Sequence, residues 1–146
     1  MAISEISRFT DNHNGTVTDN RSGLIWLKDA GCLGEKTWSD AILAANELES
    51  GKFGLTDGSS KGDWRLPNVN ELQSLIDYSR SKPALPSGHP FENVQWGYYW
   101  SATTYASNTA IAWGVGMGSG RVHSNGSNYD YYVWPVRATV GALGIW

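Results

Sequence analysis

Apolar positions alternate with small or polar ones along the last third of the chain. In "AWGVGMGSGRVHSNGSNYDYYVWPVR", residues 112–137, Trp113, Val115 and Met117 are interleaved with Gly114, Gly116 and Gly118. A period of two predicts a β-strand with one buried face. Glycine costs backbone entropy in a strand and offers nothing to pack. The pattern therefore predicts a fixed inner face and a bare outer one. Similar runs in "YYWSATTY" (98–105), "AIAWGVGM" (110–117), "GRVHS" (120–124) and "YYVWPVRA" (131–138) predict four late strands.

The first half reads differently. Residues 8–27 predict paired strands, with Asn14-Gly15 as a two-residue hairpin turn, because such turns need positive φ at both central positions. Residues 37–50 predict a helix with Trp38, Ala41, Ile42, Ala45 and Leu48 on its apolar face. Thr37 with Asp40 reads as its capping pair and Gly51 as its stop. After Pro67, Asn68 and Glu71 have capping-box spacing, and Val69, Leu72, Leu75 and Ile76 make the buried stripe of a second helix. Residues 79–97 are proline-rich without a clear period, which predicts a long ordered loop. Hairpin, helix, helix, loop and late strands make one α+β domain over residues 8–138. An N-terminal extension covers 1–7, and an apolar tail at 139–146 is available for docking or an oligomer contact.

Composition narrows the function. The chain has 146 residues and a net charge of −3, which gives no electrostatic reason to expect a nucleic-acid partner. Cys32 is the single cysteine, so no intrachain disulfide or cysteine metal cluster forms. No run reaches the length of a membrane span, and "MAISEISRF" has no signal-peptide core, so no membrane insertion is expected. The chain leaves the cell by another route or is one domain of a longer protein. Aligning Gly15 with the glycine of a calcium loop puts Thr10 at the first ligand position and Arg21 at the twelfth, where glutamate is needed. His13, His89 and His123 fall in separate loops or hairpins, "GMGSG" lacks the lysine of a phosphate loop, and Ser101 lacks a nucleophile elbow. No metal, cofactor or catalytic residue is expected, and the chain reads as a binder rather than an enzyme.

Three stretches carry a family resemblance: "FTDNHNGTVTDNRSGLIW", "GDWRLPNVNELQSLIDYSRSKPALPSGHPF", and "YYWSATTYASN" with "YYVWPVRA". Together they resemble the family of the C-terminal domain of the Legionella collagen-like adhesin, over roughly residues 8–138. The resemblance implies a C-type-lectin-like fold related to the formylglycine-generating enzyme, with two helices packed on a twisted antiparallel sheet. The enzyme's copper site needs two cysteines, and this chain has one. The resemblance further implies a homo-oligomer, a trimer by family analogy, acting at the cell surface, as a secreted protein or on a phage particle. The best-known family member binds sulfated polysaccharides. Variable proteins of diversity-generating retroelements share the fold, and in them adenine-directed mutation rewrites asparagine-type codons near the C-terminus.

Residues off the apolar face between 105 and 131 are mostly of the types such codons yield. The candidate ligand-binding set is Tyr105, Ser107, Asn108, Ile111, Gly114, Gly116, Gly118, Arg121, His123, Asn125, Asn128, Tyr129, Asp130 and Tyr131. Tyrosine among Ser, Asn and Gly resembles an antibody paratope, where a large stiff ring supplies contact area and small polar residues adapt. Trp26, Trp38, Trp64, Trp100, Trp113 and Trp134 are assigned to the core, and Arg65 and Arg137 to structural pairs. Three readings stay open. One is a diversified display domain for a surface protein or glycan. The second is a fixed domain binding sulfated polysaccharide. The third is an assembly domain whose glycine strand admits another chain.

Overall fold

A computed structural model describes residues 7–138. The expected extension, apart from Ser7, and the tail at 139–146 lie outside the described residues. Strands β1 (Phe9–Asp11), β2 (Thr16–Asp19) and β3 (Ile25–Leu27) pair antiparallel. The hairpin forms where Asn14-Gly15 places it, but its tip has three residues, closed by the Asn12 N–H to the Thr16 carbonyl at 3.0 Å. His13 (φ 57°) and Gly15 (φ 89°) take the left-handed conformation. Asn14 does not, because its side-chain oxygen accepts from the Thr16 N–H at 3.1 Å and hydroxyl at 2.6 Å.

The segment expected as one strand, 131–138, splits into β8 (Tyr131–Tyr132) and β9 (Val136–Arg137), which belong to different sheets. Pro135 has no N–H for a ladder, and Trp134 turns into the core, where its Nε1 donates to the Leu27 carbonyl at 2.8 Å. The first sheet has the order β1-β2-β3-β9, so the first and last strands share a sheet at its opposite edges rather than pairing. The second contains β4 (Glu35–Lys36), β5 (Tyr98–Tyr105), β6 (Asn108–Gly116) and β7 (Val122–Gly126), in the order β4-β8-β5-β6-β7. The single antiparallel sheet expected from the sequence is thus two sheets. β8 runs parallel to β5 at Tyr99 and Tyr132, because a loop rather than a hairpin leads into it.

Helix α1 (Trp38–Glu47) stops three residues before the expected end. Leu48 turns extended and Gly51 (φ 98°) serves the following turn. Thr37 sits at the N-cap without a side-chain hydrogen bond, so the expected pair with Asp40 does not form. Ile42, expected on the apolar face, is 40% exposed. Helix α2 (Val69–Ser74) has its predicted capping box: Asn68 Oδ1 accepts from the Glu71 N–H, and Glu71 Oε1 from the Asn68 N–H, both at 2.8 Å.

Two cores hold these elements. The larger includes Trp26, Phe91, Tyr99, Val115, Met117 and Trp134, with Leu72 of α2 and Leu75 at its C-cap. The smaller joins Trp100, Ala112 and Tyr131 to Ala41 and Ala45 of α1. The second sheet is therefore buried on both faces along its middle. Of the six tryptophans assigned to the core, Trp26, Trp64, Trp100 and Trp134 are enclosed, while Trp38 and Trp113 are half-buried. Each enclosed indole removes about 200 Å² from water and contributes about 5 kcal/mol before conformational entropy is charged.

The register of β5 on β6 slips between Trp100 and Thr104. Ser101, buried there, donates its hydroxyl proton to the Trp113 carbonyl at 2.7 Å and accepts the Thr103 N–H at 3.1 Å. The Ala102 N–H reaches the Pro67 carbonyl at 2.7 Å, and Thr103 Oγ1 accepts the Val69 N–H at 3.0 Å. This bulge ties the sheet to the start of α2, which gives Ser101 a structural role.

Candidate functional site

The glycines of β6 are not bare. Gly114 and Gly116 are buried beneath tyrosine rings. A Cβ on Gly114 would lie 2.8 Å from Tyr131 Cε2 and 3.1 Å from the Tyr99 carbonyl oxygen. On Gly116 it would lie 3.2 Å from Tyr98 Cε1. The rings come close to the strand backbone because nothing projects there, so the glycines admit them. Tyr131 is 8% exposed, with its ring centroid 4.3 Å from Trp100 and 5.3 Å from Tyr98, and its hydroxyl accepts from Asn125 Nδ2 at 2.9 Å. Burial and the Asn125 bond both act on its phenol, and burial dominates, holding the pKa above the ordinary value. The expected glycine-faced contact surface is thereby corrected: Gly114, Gly116 and Tyr131 belong to the scaffold.

The remaining candidates divide between the two ends of the sheet. Tyr105, Ser107 and Asn108 form the exposed tip of the β5–β6 hairpin, and Asn128, Tyr129 and Asp130 the exposed loop between β7 and β8. The register brings these loops to the same end, since Ile111 pairs with Gly126 and the Ser127 N–H donates to the Ala110 carbonyl at 3.0 Å. The Ser127 carbonyl accepts the Trp38 N–H at 3.0 Å, and Trp38 Nε1 donates to the Ser101 carbonyl at 2.9 Å. Tyr105 lies 5.5 Å from the half-buried Trp113 between ring centroids and is 38% exposed, while Tyr129 is 54% exposed. Neither loop contains lysine or arginine, and Asp130 is their one charged side chain. The resulting surface combines aromatic, amide and hydroxyl groups on a base fixed by hydrogen bonds.

Gly118 and Arg121 occupy the other end of β6 and β7, about 26 Å away at 3.3 Å per residue. His123 and Asn125 point to the tyrosine-covered face, with His123 5.8 Å from Tyr98 between ring centroids. The sequence therefore placed three separate surfaces in one site. It missed Tyr98 as the cover of Gly116. The signal was two aromatics, Tyr98 and Trp100, pairing with two glycines, Gly116 and Gly114, and the bulge hides that register from residue counting.

The charged pairs are structural. Arg8 clamps the enclosed Asp19 at 3.0 Å and Arg137 the enclosed Asp57 at 2.9 Å, as expected for Arg137. Arg65 holds Glu71 at 2.8 and 2.9 Å, as expected for Arg65. Burial raises the pKa of each of these carboxyls, but their hydrogen bonds and arginine partners outweigh it and hold all three below the ordinary carboxylate range. Burial pushes the Cys32 thiol up to about 11, so it is protonated at neutral pH. Among the described residues no group of three or more His, Cys, Asp or Glu is arranged to hold a metal ion. At the pocket beside the first hairpin, the Lys28 ammonium stands 2.7 Å from Asp11 and 3.6 Å from Glu92, where a cation would otherwise sit. No helix among the described residues is long and apolar enough to cross a membrane.

A family model described as the Lcl C-terminal domain matches residues 15–137. No curated protein matches the chain.

Proposed function

The chain belongs to the Lcl C-terminal domain family, an adhesin-associated family, and on that premise we propose that it is a ligand-binding display domain. Its contact surface is the sheet end formed by Tyr105, Ser107 and Asn108 with Asn128, Tyr129 and Asp130. The observation that carries this reading is the meeting of two exposed loops of paratope-like composition over a base of Trp38, Trp113 and the buried Tyr131. Such a base confines variation to the tips, because the side chains that hold the fold lie below them. This division suits a retroelement-diversified protein better than the glycine face does. A substitution at Ser107 or Asn128 changes the surface, while one at Gly114 strikes a ring.

The partner is a protein or glycan at a cell surface, and the domain works there as a binder without catalysis or cofactor. The absence of cations from the two loops favours a protein or neutral glycan over a sulfated chain at this end. The fold is C-type-lectin-like, a reading supported by two helices packed with two sheets, one of which holds both the first and the last strand. Each contact is modest, so a trimer supplies avidity. The test is a library with Tyr105, Ser107, Asn108, Asn128, Tyr129 and Asp130 randomised among Tyr, Ser, Asn, Asp and Gly, selected against hen lysozyme. Micromolar or tighter binders that keep the parent's melting temperature within a few degrees are expected. A library that unfolds, or that yields no binder where a matched antibody-loop library does, contradicts the reading.

A further inference from the structure

Among the described residues the sheet ends on one side at β7, which pairs only with β6. The Gly116 N–H bonds the Arg121 carbonyl and the Ser127 N–H the Ala110 carbonyl, so the bonded pairs are 116/121 and 110/127 and, by alternation, 114/123 and 112/125. That parity turns the N–H and C=O of Val122 and Ser124 outward, away from β6. Natural sheet edges are protected by proline, bulges, charged side chains or shortness. The opposite edge strand, β4, has two residues. β7 has five, "VHSNG", with no proline and no Asp, Glu, Lys or Arg.

The start of this edge adjoins a distinctive surface. Among the described residues, Arg21, Lys36, Arg80, Lys82 and Arg121 enter no ion pair. Lys82 and Arg121 adjoin the β6–β7 turn, and Arg80 follows its neighbour Tyr78 by two residues. The Lys82 N–H donates to the Gly118 carbonyl at 2.9 Å, and its ammonium stands 6.0 Å from the Trp96 ring centroid. Gly120 packs under Tyr78, and Arg21 lines a groove with Tyr78 and Asp77. Trp96 is 60% and Tyr78 67% exposed. Asp77, the carboxylate in this groove, is engaged by the Ser79 N–H and hydroxyl. On a chain with net charge −3 this is a local concentration of positive charge.

We propose that the β7 edge and this basic aromatic end form a second recognition surface, for an extended acidic polypeptide that adds to the sheet as a strand. The exposed main-chain groups favour a polypeptide over a sugar polymer, because they match a peptide ladder and a polysaccharide has none to offer. The cations at the start of the edge select acidic side chains, and Tyr78 and Trp96 take the apolar parts. Its basic aromatic part lies at the opposite end of the sheet from the display loops, while the β7 edge runs toward them as far as Gly126.

The probe is an acetylated ten-residue peptide, alternating Thr and Val in one half and all Glu in the other, made in both orders. Amide hydrogen exchange and titration are read on the full chain. The peptide is expected to slow exchange at Val122 and Ser124 at least tenfold and to leave Ser107 and Asn128 unchanged. Ser124→Pro removes an outward N–H without touching the β6 ladder, and is expected to weaken binding at least tenfold. Lys82→Glu with Arg121→Glu is expected to weaken it similarly and to flatten its salt dependence. Should Ser124→Pro fail to fold, a peptide N-methylated at alternate residues reads the same ladder on the unaltered protein. Unchanged exchange at Val122 and Ser124 overturns the proposal. So does binding of a heparin oligosaccharide to the basic end with no peptide bound at the edge.

Discussion

At the scale of single residues the most informative positions are those where nothing projects. Gly114→Ala places a methyl 2.8 Å from one ring carbon and 3.1 Å from a main-chain oxygen, so ring and strand must both shift. A loss of about 1–3 kcal/mol is expected, read as a lower urea midpoint at unchanged slope. Gly116→Ala is expected to cost less, since the half-buried Tyr98 ring has room to move. Acid sensitivity belongs to this scale too. Asp19, Asp57 and Glu71 have folded pKa values below their ordinary values of 3.8, 3.8 and 4.5. Their contribution to stability is complete above that range and is lost as pH falls through it toward the folded values. Thermal melts should therefore be level from neutral pH down to about 5 and fall steeply below about 4. Asp57→Asn leaves Arg137 without its carboxylate, is expected to cost about 3–5 kcal/mol at neutral pH, and should shrink the acid-sensitive part of the curve. The structural roles of Arg65 and Arg137 were legible in the sequence, and that of Arg8 was not. The role of the glycines was not, because alternation reveals that a strand has two faces but not which distant ring covers either one.

At the scale of elements, local chemistry was readable and long-range register was not. The capping box of α2 is complete within four residues, and the structure reproduces it. Because α2 has only six residues, it depends on that cap, and Asn68→Ala is expected to cost about 1 kcal/mol in chemical denaturation. Helix α1 ended early because Leu48 turns inward to the larger core, a tertiary demand that the periodicity of residues 37–50 cannot express. β5 begins and ends where its pattern predicts, at Tyr98 and Tyr105. Its pairing with β6 was hidden by the bulge that Ser101 stabilises. Likewise "YYVWPVRA" reads as one strand, and only two sheets competing for its halves divide it.

At the scale of the whole molecule, two cores hold a sheet whose ends do different things. One end presents aromatic and amide groups without cations, and the other sets Lys82 near the exposed Trp96 and Arg21 beside the exposed Tyr78. Asn128→Ala with Tyr129→Ala is expected to leave the unfolding free energy within about 0.5 kcal/mol of the parent, because both side chains are exposed. A larger loss would assign them to the scaffold. The α+β class was legible from the order of periodic segments. The site was legible only as a stretch of chain, because which of its residues meet is decided by the β6–β7 register. The central claim, a fixed aromatic scaffold beneath adaptable loop tips, is tested most directly by deep sequencing of the codons for residues 98–131 across a natural population of its source. The account predicts substitutions concentrated at Tyr105, Ser107, Asn108, Asn128, Tyr129 and Asp130, with Tyr98, Trp100, Gly114, Gly116 and Tyr131 constant. A segment uniform throughout, or one that varies at Gly114 and Tyr131 as freely as at the tips, contradicts it.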